Sequence, residues 1–226
     1  MQEMNEMQTP CKRPCMLKEG VQSAAVALQI NENLLALIIT YLFCIVALFS
    51  ASFFITALSF FWVSVTFRGM LIHWLVDMAL WVGLFVFLLL PLFTGRMRMA
   101  GMIATGRAPE KAELFHYFTS LRLWWRGVRI ALLWVVVLLR PSHFAAPGLA
   151  MGNEELSLSH ALSLAQDRLP GTVVLAFLGR IAVRMLLSVL TLGLLWLLYD
   201  AHHSAVTYFA LCTREAAEEP WGESPY

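Results

Sequence analysis

Charged residues are scarce in this sequence and absent from one long stretch of it. Only 14% of the residues are charged, against about 25% in an ordinary soluble domain. Residues 34–67 contain no charged side chain at all. A soluble fold would have to expose much of that stretch to water. The composition therefore excludes an ordinary soluble domain and favours a protein of the lipid bilayer.

Cysteine is also rare, which limits disulfide and metal chemistry. Cys11 and Cys15 are spaced C-x-x-x-C and no second pair follows, so the pattern is neither a zinc or redox hairpin nor a disulfide framework. A metal clip with His202 and His203 is the alternative to simple reduced thiols. We expect reduced thiols, and no metal or other cofactor.

Sequence motifs of common enzyme sites are missing. There is no glycine-rich phosphate loop, no Gly-x-Ser-x-Gly and no His-Glu-x-x-His,. Asp200-Ala201-His202-His203 could supply acid–base or metal-ligating groups, but no second such cluster completes a site. The net charge of +1, with the basic residues gathered in one loop, argues against a nucleic-acid partner,. We therefore predict no catalytic residues and no enzymatic activity.

Two apolar stretches dominate the first half of the chain. As one helix, residues 34–67 would be about 51 Å long, well beyond the roughly 30 Å of hydrocarbon in a bilayer. The stretch is therefore one strongly tilted or bent helix, or a span over residues 34–56 followed by an interfacial segment. A turn is predicted at Arg68-Gly69, and a second span over Met70 to Phe93, where Pro91 lies close to the end.

The chain before and after these stretches is polar. Residues 1–20 are predicted to form a polar N-terminal tail and residues 21–33 a short helix that leads into the first span. Residues 213–226 are acidic and are predicted to form a disordered tail. The residues between the two tails, 21–212, are predicted to form one helical transmembrane domain.

A basic stretch follows the second span directly. Opposed only by Glu110 and Glu113, it contains seven basic residues: Arg96, Arg98, Arg107, Lys111, Arg122, Arg126 and Arg129. Because basic loops stay on the cytoplasmic side, the central loop over residues 94–127 and the N-terminus are predicted to be cytoplasmic. Residues 110–125 are predicted to form an amphipathic helix in the interface, with an ordinary soluble helix packed on a partner as the alternative.

The second half of the chain alternates between apolar and amphipathic segments. Residues 130–139 are predicted to be a third span. They are too short to cross alone, and adding residues 121–128 would bury Arg122 and Arg126, so both arginines must snorkel to the membrane surface. Residues 142–151 are predicted to turn back as a re-entrant piece, and residues 153–169 to form a surface amphipathic helix. Residues 172–211 form the last membrane region. It is either one segment or two, and the natural break is at Thr191-Leu192-Gly193.

Ionisable residues inside apolar runs mark a candidate polar network. Such residues are costly at membrane depth and usually face a cavity or a partner group. Arg180 and Arg184 are four residues apart on one helix face. Asp77 is the preferred counter-charge and Asp200 the second choice; the alternative is that both arginines snorkel to the surface. The predicted network consists of His73, Asp77, Arg180, Arg184 and Asp200.

Short motifs in the chain resemble a known family. Pro91-Leu92-x-x-Gly95-Arg96, then Gly106, then Leu114-Phe115-x-x-Phe118 are similar to the central signature of uncharacterised bacterial multi-pass proteins of the YciC-like and YesL-like type. That group is related to the membrane domain attached to some glycerophosphodiester phosphodiesterases. Residues 161–171, 191–196 and 205–208 resemble the family's C-terminal half. The likeness covers about residues 17–211, although Leu198 stands where the family has a proline.

The resemblance implies about six helical membrane segments with both termini in the cytoplasm. It implies no known activity, and this chain has no counterpart of the phosphodiesterase domain. The family-like structural motif consists of Pro91, Gly95, Arg96, Gly106, Phe115 and Phe118.

The fold class predicted from these patterns is all-α: a polytopic helical protein of the cell membrane, with about four to six membrane helices and further amphipathic interfacial helices. Its expected partners are the lipid bilayer and other membrane proteins or a second copy of itself. A scaffold, assembly or regulatory role is the first hypothesis. A small-solute transporter or transporter subunit is the second, because Pro91 and Gly193 could break helices as transporters do; no convincing internal repeat accompanies them.

Overall fold

The computed structural model describes residues 14–29, 31–65, 70–166 and 168–218. Within these ranges the regular structure is entirely helical. The α-helices are α1 (Pro14–Leu28), α2 (Asn31–Val65), α3 (Met70–Leu84), α4 (Leu90–Ala104), α5 (Leu121–Leu139), α6 (Ala146–Gly152), α7 (Leu158–Ala165), α8 (Gly171–Val189) and α9 (Ala201–Glu218). π-Helical turns cover Phe85–Leu89 and Trp196–Asp200, and 3₁₀-helices cover Lys111–Phe118 and Pro141–His143. The predicted all-α fold class is confirmed for this part of the chain.

Helices α3 and α4 form one continuous rod through the π-turn over Phe85–Leu89. Pro91 has no N–H to offer the carbonyl of Phe87, four residues earlier, and its ring crowds that carbonyl. The π-turn makes room for the ring, and Trp124 Nε1 donates a hydrogen bond to the Phe87 oxygen at 3.1 Å. The prediction that this span ends at Phe93 is therefore wrong: the helix continues to Ala104.

Helix α4 is the centre of the packed part of the molecule. It contacts α1, α2, α5, α6, α9 and the 3₁₀-helix over Lys111–Phe118. Its buried residues are Leu90, Pro91, Leu92, Thr94, Gly95, Arg96, Met97, Met99, Ala100 and Ile103. The predicted central loop over residues 94–127 is thus wrong in its first part, because residues 94–104 are helical and most of them are core.

Gly95 allows the closest approach in this core. A Cβ atom built on Gly95 would lie 2.1 Å from the backbone oxygen of Leu114. No side chain can occupy that space, so the 3₁₀-helix packs directly against the backbone of α4. At the end of α4, Gly106 has φ +77° and closes the helix: its N–H donates to Ile103 O, and that of Arg107 to Met102 O,.

An aromatic cluster holds α9 against α6 and the residues before it. The Tyr208 hydroxyl donates to the Phe144 carbonyl at 2.9 Å and accepts from the Gly148 N–H at 3.0 Å. The rings of Trp134, Phe144 and Phe177 surround it at centroid distances of 4.9 to 6.5 Å. Residues 142–151, predicted as a re-entrant piece, are therefore packed into the protein core.

The second half of α2, together with α3 and α8, exposes large apolar side chains. Phe53 is 78% exposed and Leu186 is 72% exposed. Within the part of the chain that the structure describes, three helical stretches are long and apolar enough to cross a membrane: Glu32–Ser59, Trp74–Ala104 and Gly171–Val189. Such continuous apolar surface is typical of helices that face lipid.

Helix boundaries in the middle of the chain differ from the predicted ones. Ser120 caps α5, since its hydroxyl accepts a hydrogen bond from the Leu123 N–H,. The predicted amphipathic helix over residues 110–125 is consequently split into a 3₁₀-helix and the first turns of α5. The predicted third span over residues 130–139 is the second half of α5. The helix predicted over residues 153–169 is the shorter α7.

Toward the chain ends, several boundaries also move. Helix α1 begins at Pro14, ahead of the predicted start at residue 21, and α9 runs to Glu218 into the predicted disordered tail. Helix α2 is continuous, so residues 34–65 form one segment. The break predicted at Thr191-Leu192-Gly193 is confirmed, because Leu192 and Gly193 have φ of +52° and +81°. The turn at Arg68-Gly69 and residues 1–13 and 219–226 lie outside the described residues.

Candidate functional site

A buried arginine lies at the centre of the packed region. Arg96 on α4 is 6% exposed. Its Nη2 lies 3.1 Å from His202 Nδ1, and its guanidinium lies 4.5 Å from the centre of the Tyr41 ring. Among the described residues no carboxylate lies within ion-pair distance of Arg96, and its Nε has no hydrogen-bond partner. The positive charge is held by an aromatic face and an imidazole.

His202 fits this contact only as one tautomer. Its Nε2 lies 2.9 Å from the Leu197 carbonyl oxygen. That nitrogen must therefore carry the proton and donate it, which leaves Nδ1 as the acceptor for Arg96. The Tyr41 ring meets the imidazole edge-on at 5.6 Å. Both ring nitrogens of His202 already have hydrogen-bond partners, so neither is free to bind a metal in the clip suggested by the sequence. Cys11, another residue of that clip, lies outside the described residues.

A second polar cluster lies between α8 and the π-turn over Trp196–Asp200. Arg184 Nη1 lies 3.4 Å from Asp200 Oδ1. A cleft of about 60 Å³ is lined by Arg180, Arg184, Tyr199, Asp200, His203 and Ser204. An unpaired charge at membrane depth costs roughly 2.5–3.5 kcal/mol on insertion scales. The cleft gives both arginines a polar environment on one side of an apolar helix.

Asp77 does not belong to this cluster. It accepts a hydrogen bond from the Ser59 hydroxyl, on the facing helix of the α2–α3 hairpin. The structure therefore pairs Arg184 with Asp200, the second choice, and not with Asp77. The reason is that α3 packs on α2, whereas α8 packs on the π-turn that carries Asp200. The side chain of His73 lies outside the described residues.

Comparisons with family models, with curated proteins and with solved structures find no match. The resemblance to the bacterial multi-pass family thus stays a prediction.

The residues of the family-like motif have identifiable structural roles. Pro91 and Gly95 shape α4 and its contact with the 3₁₀-helix, Arg96 is the buried cation, and Gly106 ends the helix. Phe115 lies on the outside of the 3₁₀-helix, where its ring meets those of Phe43 at 5.6 Å and Phe118 at 6.4 Å.

A group of charged side chains ties the C-terminal end of α4 to the neighbouring loops. Arg98 lies 3.1 Å from Glu113 and 2.5 Å from Glu154, and His116 Nε2 lies 2.9 Å from Glu154. Partial burial acts to raise the pKa of Glu154, but the hydrogen bond from Arg98 and its charge lower that pKa more, so it lies below its usual value,. Burial raises the pKa of the Tyr117 hydroxyl next to this group.

The Arg126 guanidinium is held by the backbone of the α6–α7 connection. Its Nη2 donates toward the carbonyl oxygens of Ala150, Asn153 and Leu156 at 2.9, 2.8 and 3.0 Å. These carbonyls lie at and after the end of α6, where backbone acceptors lack helical partners. Arg126 thus fixes the α6–α7 connection, while Arg122 is exposed.

Sequence reasoning missed Tyr41, Trp124 and Glu154. Tyr41 lies in an uncharged apolar run, where no pattern distinguishes it from its neighbours. Trp124 could have been found from Pro91, because a proline inside a helix leaves one carbonyl in need of an outside donor. Glu154 gave no signal, because its partners Arg98 and His116 are far away in sequence.

Proposed function

We propose that this chain is a multi-pass integral protein of the bacterial cell membrane with a non-enzymatic role as a scaffold, assembly or regulatory factor. The observation that carries the proposal is the uneven packing of its apolar helices. Helix α4 is largely buried by its neighbours, whereas α3 has α2 as its main partner. Large side chains on the α2–α3 hairpin remain exposed, among them Phe53, Phe54, Trp74 and Val82.

The hairpin is well suited to lateral association. Lipid tails are as apolar as leucine, so membrane helices associate through close van der Waals packing and through polar contacts between them. The polar residues Ser59 and Asp77 satisfy each other inside the hairpin. Its outer surface is left apolar and aromatic, and it can accept either lipid or the helix of another membrane protein.

The proposed orientation follows from the basic residues that remain outside the core. Arg107, Arg122 and Arg129 are exposed, and they lie on the segment that follows α4. Cytoplasmic segments carry an excess of such residues. We therefore place the chain from Arg107 to the start of α5, and the N-terminus, in the cytoplasm.

Site-specific photo-cross-linking tests the assembly role. A photoreactive phenylalanine analogue replaces Phe53 or Val82 on the hairpin. Leu186 on α8 is the matched control, because it is also apolar and its exposure lies between those of the two hairpin positions. We expect the hairpin positions to give a discrete protein adduct in intact cells, either a second copy or another membrane protein. Leu186 should give lipid adducts only. Lipid adducts alone at both hairpin positions would refute the assembly role.

A transporter role is the second candidate. The observation that favours it is the cleft between α8 and the π-turn over Trp196–Asp200, because that π-turn interrupts the helix leading into α9 and supplies two of the lining residues. Transporters place polar sites beside interrupted helices. Uptake into proteoliposomes distinguishes the two roles: solute uptake that is lost in Arg180→Gln would favour transport over assembly.

A further inference from the structure

The exposed side of α5 carries positive charge that no described residue neutralises. Arg122 and Arg129 are both exposed, and neither forms a hydrogen bond or an ion pair within the described part of the chain. Helix α5 itself contains no acidic residue. Arg126 lies between them in sequence and donates to backbone carbonyls, which carry no net charge. Two turns of helix therefore hold three guanidinium groups, of which the two exposed ones have free donors.

The two exposed arginines lie on one side of α5 with a tryptophan between them. Trp125 is three residues and Arg129 seven residues after Arg122, a spacing that aligns side chains along one face of a helix. The stripe is about 10 Å long at 1.5 Å per residue. The same side of α5 continues with the exposed apolar residues Leu132 and Leu139. Arg122, Trp125 and Arg129 form what we call the α5 patch, which borders an apolar surface directly.

The Trp125 ring belongs to an aromatic stack that ties the α5 patch to the rod of α3 and α4. It stacks with Trp124 at a centroid distance of 5.9 Å, and Trp124 stacks with Phe87 at 4.9 Å. Half of the Trp125 residue remains exposed. Tryptophan is enriched at the headgroup level of a bilayer, where its ring meets hydrocarbon and its N–H meets polar groups. The α5 patch therefore has the composition of a surface that meets lipid headgroups.

A contact between α5 and the rod places the α5 patch near one end of a membrane span. The candidate span Trp74–Ala104 has 31 residues and is about 46 Å long, whereas about 20 residues cross 30 Å of hydrocarbon. A crossing that begins at Trp74 therefore ends near Thr94. Thr94 Oγ1 donates to the Gly127 carbonyl at 3.0 Å. Gly127 lies between Trp125 and Arg129 in sequence, so this contact holds the α5 patch close to the level at which the crossing ends.

The surplus length of the rod lies on the α4 side, outside the hydrocarbon. Residues 74–87 are all at least partly exposed, whereas residues 94–104 are mostly buried by other parts of the protein. Arg98, with its partners Glu113 and Glu154, also lies beyond Thr94 along the rod, and charged groups are costly inside the hydrocarbon. The boundary between hydrocarbon and headgroups thus passes close to α5, where exposed arginines can extend toward lipid phosphates.

We propose that the α5 patch binds the headgroup of an anionic phospholipid in the cytoplasmic leaflet, with its phosphate on Arg122 and Arg129. Guanidinium groups match phosphate oxygens in geometry and charge, and basic clusters beside a membrane span attract anionic lipids. A zwitterionic lipid offers the same phosphate, but its ammonium returns a positive charge to a helix that has no acid to receive it. This assignment rests on the membrane placement and orientation in the proposed function, and not on the assembly role of the α2–α3 hairpin.

Native mass spectrometry of the chain released from nanodiscs tests the charge preference. From equal amounts of phosphatidylglycerol and phosphatidylcholine, wild-type protein should retain the former at least about tenfold in preference. Arg122→Gln and Arg129→Gln should each reduce this preference about fivefold. Arg122→Lys keeps the charge and should retain most of the preference.

Arg107→Gln is the matched control for these substitutions. Arg107 is also exposed, but it follows the end of α4, which lies about 15 Å beyond Thr94 along the rod. That distance exceeds the Debye length of about 8 Å at physiological ionic strength. Arg107→Gln removes the same charge and should leave the lipid preference unchanged. Equal retention of the two lipids by wild type, or a preference that survives the double Arg122→Gln and Arg129→Gln variant, would overturn the proposal.

Photo-cross-linking distinguishes an anionic lipid from an acidic protein as the occupant of the α5 patch. A photoreactive phenylalanine analogue replaces Leu121, which is 80% exposed and adjacent to Arg122. We expect phospholipid adducts in intact cells, and in mixed nanodiscs an excess of phosphatidylglycerol over phosphatidylcholine adducts. A discrete protein adduct at Leu121 would assign the α5 patch to a protein partner and overturn the lipid assignment.

Loss of fold and failure of the assembly role give different results from failure of the lipid site. Arg122 and Arg129 make no hydrogen bond within the described residues, so both glutamine variants should unfold at the wild-type temperature in detergent. Lipid adducts alone at Phe53 and Val82 would refute the assembly role and leave the phosphatidylglycerol preference intact. Equal retention of the two lipids, with a protein adduct at the hairpin, would refute the lipid site alone. Retention of neither lipid would overturn the lipid site together with the membrane placement.

Discussion

Replacing Gly95 by alanine is expected to destabilise the protein by about 3 kcal/mol or more. The new methyl group would lie 2.1 Å from the Leu114 backbone oxygen, and a backbone atom cannot rotate away as a side chain can. The 3₁₀-helix over Lys111–Phe118 would have to move off α4, and the contacts between them would be lost. Equilibrium unfolding in mixed micelles with increasing dodecyl sulfate measures the change.

Gly179 supplies the matched control for this substitution. It lies in the interior of α8, and nothing lies within 4 Å of a Cβ built on it. Gly179→Ala should therefore stabilise the helix by about 0.5–1 kcal/mol through the better helix propensity of alanine. Equal and small effects of the two substitutions would contradict the packing of α4 described above.

Replacing His202 by leucine is expected to cost about 3 kcal/mol. Leucine fills most of the same space but offers no acceptor, so the Arg96 guanidinium would stay buried without a hydrogen bond to its Nη2. A buried charge that loses its partner is strongly destabilising, whereas removal of both partners is often well tolerated. The same unfolding measurement applies.

The double variant separates a hydrogen-bond effect from a simple packing effect. Arg96→Met keeps the apolar stem of the side chain and removes the charge. In combination with His202→Leu it should recover at least about 1 kcal/mol relative to the sum of the single effects. Strictly additive losses would show that Arg96 and His202 are not coupled.

Local chemistry made parts of the fold predictable from the sequence. The break at Leu192 and Gly193 was predicted because residues 172–211 are too long for one span and contain a glycine at the natural turn. The importance of the segment from Pro91 to Arg96 was visible as an abrupt change from apolar to basic residues. The structure places that segment in the core of the packed region.

Tertiary contacts decided what the sequence could not. Pro91 looked like a helix end, but Trp124 satisfies the carbonyl that the proline leaves open, so the helix continues. Arg96 looked like a loop residue, because its partners Tyr41 and His202 are far away in sequence. Sequence spacing shows which residues share one face of a helix, but it does not show which other helix packs against that face. For this reason the sequence favours Asp77 over Asp200 as the partner of the arginines, whereas the structure places Asp200 there.

Depth measurements by spin labelling test the central claim, that the exposed apolar helices lie in a bilayer. Nitroxides are attached at Phe53, Val82 and Leu186, on the three candidate spans, and at Glu155, in the exposed α6–α7 connection. In nanodiscs the three span positions should be more accessible to oxygen than to a water-soluble nickel chelate, and Glu155 should show the reverse. Higher accessibility to the nickel chelate at the span positions would contradict a membrane-spanning protein.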